Sequence, residues 1–114
     1  MYTIERIKEL VDSASAALAA TGYDNVHVVH GDGTLGWADH APFDVIVVTA
    51  GGPSVPESLK QQLEIGGRLV IPVGVGQELQ ELVRVTRLSE TEFKLENLVA
   101  VRFVPLVGAE GWDT

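Results

Sequence analysis

The segment FDVIVVTAGGPSVPESLKQQLEIGGRLVIPVG, residues 43–74, contains the pattern that decides the fold. Its first eight residues, 43–50, are almost continuously apolar, which is typical of a strand that a parallel sheet covers on both faces. A helix is expected over 56–64, because the segment begins at a proline and two glycines follow its end. A second buried strand is expected over 68–74. This strand–helix–strand order predicts an α/β sheet.

The residues before this segment predict another strand–helix–strand unit. Residues 2–4, Tyr-Thr-Ile, favour a short strand, and Gly22 is a helix stop after the helical pattern of 5–21. Residues 25–30 form a β-branched strand candidate, and 31–42 are rich in turn formers. The apolar residues that share one face of the expected helix are Ile7, Leu10, Val11, Ala14 and Leu18.

The C-terminal part has a different pattern. Two long strand candidates, 78–88 and 93–107, are separated only by the short turn 89–92. They predict an antiparallel hairpin at one edge of the sheet. No linker divides the sequence, so we expect a single domain over residues 1–114.

Composition excludes several classes of function. The sequence has 8 basic and 16 acidic residues and a net charge of −8, which argues against nucleic acid or an anionic membrane as the main partner. It contains no cysteine, so it has neither disulfides nor a thiolate metal site. Its apolar runs are too short to span a bilayer, and no signal peptide is visible. We therefore expect a soluble cytoplasmic protein.

Glu5 follows the first strand and begins the helical pattern, and it has two interpretations. An acidic residue at the end of a strand binds ribose in many nucleotide-binding sheets. An acidic residue is also favourable at the N-terminus of a helix. Spacing alone leaves both interpretations open.

Residues 31–33, Gly-Asp-Gly, follow the second strand, where open α/β sheets bind ligands. The Asp32 carboxylate could accept a hydrogen bond from an exocyclic amine, and the Gly33 amide could donate one to a ring nitrogen. The same residues also form ordinary turns. His27, His30 and His40 lack further ligands, so we expect no metal site. The two tryptophans, Trp37 and Trp112, are expected to cover apolar surface and not to stack on a ligand.

Taken together, the order of four segments resembles the protein-L-isoaspartate O-methyltransferase family, and the resemblance extends from Tyr2 to about Trp112. The resemblance implies a Rossmann-like sheet with a parallel core and a C-terminal antiparallel hairpin. It also implies methyl transfer from S-adenosylmethionine to the carboxylate of isoaspartyl residues in damaged proteins. The segments are YTIERI (2–7), GDGTLGW (31–37), the residues 41–74 that include the segment quoted above, and VRFVPLVG (101–108).

Residue by residue, the resemblance implies two sets of site residues. In this family Glu5 would bind the cofactor ribose with Arg6 beside it, and Asp32 and Gly33 would contact adenine. The strand VRFVPL (101–106) would lie near the substrate peptide and the methionine portion of the cofactor. Its expected substrate-binding residues are Arg102, Val104 and Pro105.

Relative to the family pattern, we expect the chain to be the C-terminal half of a methyltransferase and one incomplete domain. The family's glycine-rich cofactor loop and active-site hydroxyl would then lie upstream, so no catalytic residue is assigned here. Three functions stay open: a fragment that folds without catalysis, an enzyme completed by a partner chain, and a regulatory module with residual adenosyl-ligand binding. The sheet would also lack a central strand. Either the strand at 2–4 shifts to pair with 43–50, or another chain fills the gap, and we expect a homodimer.

Overall fold

The computed structural model describes residues 1–22, 25–74, 76 and 79–113. The chain divides into two compact units, Met1–Gly33 and Thr34–Thr114. Each unit is described by itself, and the single domain over 1–114 stays a prediction. No helix of the described ranges is long and apolar enough to cross a membrane.

The first unit is the predicted strand–helix–strand arrangement. Strand β1 (Tyr2–Glu5) pairs in parallel with strand β2 (His27–His30), and helix α1 (Lys8–Thr21) connects them. The helix ends at Gly22, which has φ +81°, a left-handed conformation that glycine adopts without a steric penalty. The predicted helix stop is therefore confirmed.

Helix α1 buries less of its apolar face than the periodicity predicts. Val11 is its buried residue, whereas Leu10 is 51% exposed. The helix also starts three residues later than expected, at Lys8, because Ile7 has extended backbone angles and precedes the first turn.

The second unit contains a four-stranded mixed sheet in the order β3-β4-β5-β6. Strands β3 and β4 are parallel and are connected through helix α2, while β4–β5 and β5–β6 are antiparallel. The hairpin predicted at the sheet edge is therefore confirmed as β5–β6. Glu78, the first residue of its predicted range, lies outside the described residues. The elements are β3 (Phe43–Val47), α2 (Glu57–Gln61), β4 (Leu63–Val73), β5 (Gln80–Arg87) and β6 (Phe93–Val101).

Helix α2 is shorter than predicted and β4 is longer. The helix ends at Gln61, and the chain enters the sheet at Leu63, before the two glycines that were expected to end the helix. Gly66 has φ +86° and lies where the register between β3 and β4 shifts. The glycines therefore serve an irregularity within the strand and not a helix end.

One face of the four-stranded sheet forms the hydrophobic core. The expectation that residues 43–50 are covered on both faces is wrong in this structure. Ile46 and Val48 pack on the core, but Val45 and Val47 on the other face are 62% and 65% exposed. The strand is at the edge of its sheet, and within the described residues only β4 pairs with it. The buried core residues are Leu59, Leu63, Leu69, Ile71, Val83 and Val85.

Strand β1 pairs with β2 in a separate two-stranded sheet. The alternative in which the strand at 2–4 shifts to pair with 43–50 would join the two units and stays a prediction. The edge of β3 that this shift would pair carries no partner strand in the described part of the chain.

Candidate functional site

The carboxyl ends of β1 and β2 bring two of the predicted motifs together. Glu5 is the register partner of His30, and the Gly31 amide donates a 3.0 Å hydrogen bond to the Glu5 carbonyl. Glu5 and the Gly-Asp-Gly turn are thus neighbours through the backbone, although 25 residues separate them in the sequence. Parallel pairing produces this proximity, because the carboxyl ends of parallel strands meet at one edge.

The Glu5 side chain is half-buried and contacts the start of helix α1. Its Oε1 accepts a hydrogen bond from the Ile7 amide at 3.2 Å. This contact satisfies one of the amide groups that the first turn of a helix leaves without a partner. The helix-start interpretation of Glu5 is therefore observed, while its ribose-binding role stays a prediction.

The neighbours of Glu5 hold the ends of the two strands. His30 Nε2 lies 2.8 Å from the Arg6 carbonyl oxygen, and the Arg6 side chain is exposed. At the other end of the pair, the rings of Tyr2 and His27 stack at 5.1 Å. Both histidines of β2 thus have contacts within this unit.

Asp32 and Gly33 are half-buried in the turn after β2. A Cβ atom added at Gly33 would meet no atom within 4 Å, so the space beside this residue is open. A Cβ atom at Gly31 would touch Ile4 Cγ2 at 3.6 Å, which is ordinary contact. This edge therefore presents carboxylates, which can accept from hydroxyl and amine donors of a ligand, and an accessible glycine, whose amide can donate to a ligand acceptor.

In the second unit, the predicted substrate segment follows β6 and pairs with a single glycine. The Gly51 amide donates to the Val104 carbonyl at 2.7 Å, and the Leu106 amide donates to the Gly51 carbonyl at 2.8 Å. Arg102 and Val104 are exposed, with Val104 at 69%, whereas Pro105 is half-buried. The segment thus presents an arginine and an apolar side chain to solvent.

These observations can be compared with known proteins. The family described as Protein-L-isoaspartate(D-aspartate) O-methyltransferase (PCMT) matches residues 1–111. The chain belongs to this family. The predicted resemblance is confirmed, and with it the α/β methyltransferase fold.

Curated protein-L-isoaspartate O-methyltransferases share high identity with this chain. The protein of Rhodopseudomonas palustris is 64% identical over 111 residues, which are 97% of this chain and 51% of that protein. Protein-L-isoaspartate O-methyltransferase 2 of Pelobacter propionicus is 58% identical over 112 residues, 98% of this chain and 50% of that protein. The chain therefore spans about half the length of the curated relatives it matches.

Solved protein-L-isoaspartate O-methyltransferases have the same fold. One of these structures superposes with a TM-score of 0.88 at 28% identity, covering 96% of this chain and 35% of the other. A Plasmodium falciparum structure has a TM-score of 0.79 at 25% identity and covers 93% of this chain and 51% of the other. The Plasmodium falciparum protein was crystallised in complex with S-adenosyl-L-homocysteine.

In this methyltransferase-family chain, contacts with neighbouring side chains lower the pKa of the Glu96 and Glu57 carboxyl groups. A hydrogen bond from Arg84 lowers the pKa of the Glu96 carboxyl on β6, and the charge of the same arginine adds to the effect. On α2, hydrogen bonds from Gln61 and Lys60 lower the pKa of Glu57. Both carboxylates stabilise local structure and are not among the predicted site residues.

Sequence reasoning missed Gln80, which is 1% exposed at the start of β5 and accepts the Phe103 amide. A glutamine in a strand that is otherwise buried at alternate positions is the signal that could have identified it. Trp112 was expected to cover apolar surface. It is half-buried, and its indole Nε1 also donates to the Gly51 carbonyl at 3.0 Å.

Proposed function

We propose that this chain supplies part of a cytoplasmic S-adenosylmethionine-dependent carboxyl O-methyltransferase that acts on isoaspartyl residues. The observation that carries the proposal is the pairing of β1 and β2, which places Glu5 beside the Gly-Asp-Gly turn of 31–33. Family membership supports the assignment. In this proposal Glu5 and Arg6 bind the ribose side of the cofactor, and Asp32 and Gly33 bind adenine.

The chemistry of these residues fits the adenosine half of the cofactor. Carboxylates accept hydrogen bonds from ribose hydroxyls and from an exocyclic amine, and a glycine amide donates to a ring nitrogen. The open space beside Gly33 supports the approach of a planar base. When bound, the cofactor supplies the methyl group. The residues of this unit hold its adenosine end.

For the substrate we propose Arg102, Val104 and Pro105. The Arg102 side chain is exposed and can bind the carboxylate that an isoaspartyl peptide carries. Val104 is exposed next to it and can contact the apolar part of the same peptide. Support comes from the strand pattern VRFVPL and from the exposure of these side chains.

Calorimetric titration with S-adenosylhomocysteine tests the cofactor assignment. Replacing Asp32 by Ala removes the acceptor for the exocyclic amine and should weaken binding by about 1–3 kcal/mol. Asp12→Ala is the matched control, because Asp12 is an exposed acid on α1 that pairs with Lys8. Unchanged affinity in Asp32→Ala would contradict the adenine assignment.

A second candidate function is a non-catalytic module that binds adenosyl ligands. The proposed residues bind adenosine and peptide, and none of them corresponds to the family's glycine-rich cofactor loop. Methyl transfer requires the carboxylate in line with the sulfonium methyl, so we expect the chain by itself to transfer methyl groups negligibly. A radiolabel transfer assay on isoaspartyl peptide measures this directly. Turnover equal to that of a complete family member would contradict the expectation.

We also propose that the chain associates with a second copy through the edge of β3. Support comes from the two exposed valines, Val45 and Val47, on a strand whose described hydrogen-bonded neighbour is β4. Light scattering at micromolar concentration should give about twice the 12.2 kDa mass of one chain. Val47→Lys should then lower the measured mass toward that of the monomer. A monomer mass for the parent chain would contradict the dimer, and a mass that rises only with an added family chain would favour a complementing partner.

A further inference from the structure

The candidate substrate segment, 102–106, has little backbone support from the sheet. Strand β6 ends at Val101, and the segment then makes an isolated bridge in which Pro105 pairs with Gly51. The two hydrogen bonds of that bridge join Gly51 to Val104 and Leu106. Within the described residues the bridge partner of this segment is Gly51, so other groups contribute to fixing its position.

The side chain of Gln80 supplies one of these groups. Its Oε1 accepts the Phe103 amide at 2.9 Å, at the residue between Arg102 and Val104. Gln80 is 1% exposed, so the acceptor side of this part-buried bond is shielded from water. It also packs directly on Gly51, because a Cβ atom added there would lie 2.8 Å from the Gln80 Cδ. The side chain of Gln80 therefore contacts both the substrate segment and the glycine that pairs with it.

Trp112 supplies a second group from the other side of Gly51. The chain turns back after Leu106, and the Trp112 amide donates to the Leu106 carbonyl at 2.7 Å. The indole Nε1 then reaches the Gly51 carbonyl at 3.0 Å, the same oxygen that accepts the Leu106 amide. Through these two hydrogen bonds, Trp112 connects the turn after Leu106 to Gly51, the bridge partner of the segment.

We infer that Gln80 and Trp112 are positioning residues that hold the substrate segment 102–106 in its peptide-binding conformation. Gln80 acts on the main chain at Phe103, and Trp112 acts through the Gly51 carbonyl. Neither side chain is assigned contact with substrate. This inference rests on the proposed role of Arg102, Val104 and Pro105, and it adds the two residues that set their geometry.

The test uses the full chain and two variants that keep an apolar or isosteric side chain while removing polar contacts. Gln80→Met removes the acceptor of the Phe103 amide, and Trp112→Phe removes the indole donor. Matched controls are Gln61→Met, on the exposed surface of α2, and Trp37→Phe, whose ring meets His40 edge-on. Binding of a fluorescent isoaspartyl hexapeptide and of adenosine, which lacks the amino-acid portion of the cofactor, is measured for every variant.

We expect each variant to weaken peptide binding by about tenfold and to leave binding of adenosine, which is assigned to Glu5, Asp32 and Gly33, unchanged. A residue that only stabilises the fold would weaken both ligands or neither, so the difference between them identifies positioning. Hydrogen exchange gives an independent readout. The Phe103 amide should exchange about tenfold faster in Gln80→Met, and the Leu106 amide faster in Trp112→Phe, while the Leu69 amide in the core is unchanged.

Unchanged exchange at Phe103 and Leu106, or equal loss of both ligands, would overturn the inference. If Gln80→Met does not fold, Trp112→Phe decides, because the half-buried position keeps an aromatic ring. A parent chain that binds no isoaspartyl peptide would contradict the proposed substrate site. The exchange rates would then still show whether the two side chains hold the segment.

Discussion

Replacing Glu5 by Gln separates the two roles that this residue can have. In the structure its Oε1 accepts the Ile7 amide at 3.2 Å, a contact that stabilises the start of α1. The glutamine side chain has the same length and keeps a carbonyl oxygen for that amide. It loses the negative charge and one of the two acceptors that a ribose diol would use. The substitution therefore preserves the helix contact and weakens the proposed ligand contact.

The size of each effect follows from the kind of hydrogen bond involved. Hydrogen bonds to charged groups contribute about 1.5–3 kcal/mol, and those between neutral groups about 0.5–1.5 kcal/mol. Removing the charge from Glu5 should therefore weaken S-adenosylhomocysteine binding by about 1–2 kcal/mol, or about five- to thirtyfold in Kd. The free energy of unfolding should fall by no more than about 1 kcal/mol, because the Ile7 amide keeps an acceptor and loses only the charge of that acceptor.

Isothermal titration and urea unfolding of three variants measure these quantities. Glu5→Ala removes both contacts and should lower both affinity and the free energy of unfolding. Glu9→Gln is the matched control, an exposed acid in the first turn of the same helix; it should leave the affinity unchanged and lower the free energy of unfolding by about 0.3–1 kcal/mol, the effect of removing a charge at the helix start. If Glu5→Gln binds as tightly as the parent while Glu5→Ala is destabilised, Glu5 serves the helix alone and the ribose assignment is refuted.

Three further predictions concern the second unit. Arg87 donates hydrogen bonds to four main-chain carbonyls, so Arg87→Met should lower the free energy of unfolding by about 2 kcal/mol in urea, and the exposed-site control Arg68→Met should not. Gly51→Ala would place a Cβ atom 2.8 Å from Gln80 and should cost about 1–3 kcal/mol, whereas Gly76→Ala, in open space, should be neutral by the same measurement. Because Arg84 lowers the pKa of Glu96, their pair stabilises the fold above about pH 4.5, and this contribution is lost as the pH falls through the lowered pKa. As the pH is lowered below about 4.5, the melting temperature of Glu96→Gln should therefore fall less than that of the parent chain. Identical profiles of melting temperature against pH would contradict this.

The order of elements could be predicted because each has a local cause. The apolar run at 43–50, the glycine after α1 and the short turn between two long strand candidates specify strands, a helix end and a hairpin without reference to distant residues. The boundary between α2 and β4 could not be predicted in the same way. Two glycines after a helical pattern normally end a helix, but Gly66 instead lies in a strand whose register with β3 shifts. That role depends on the neighbouring strand, which local pattern does not include.

Burial of β3 was predicted less well because an apolar strand does not reveal its position in a sheet. Val45 and Val47 have the composition of a strand covered on both faces, yet they are exposed at a sheet edge. Gln80 is a polar residue whose burial the sequence did not predict. Its partner is the Phe103 amide, 23 residues away, and nothing near Gln80 in the sequence indicates that a main-chain donor will need its oxygen.

The candidate cofactor residues come together only if β1 and β2 keep one register. Adjacent strand residues point to opposite faces, so a slip of one residue would turn the Glu5 side chain to the other face of the sheet. Two contacts oppose that slip. Tyr2 stacks on its register partner His27 at one end, and His30 contacts the Arg6 carbonyl at the other. The histidines of β2, for which the sequence predicts no metal site, therefore support the proposed site by fixing where Glu5 lies.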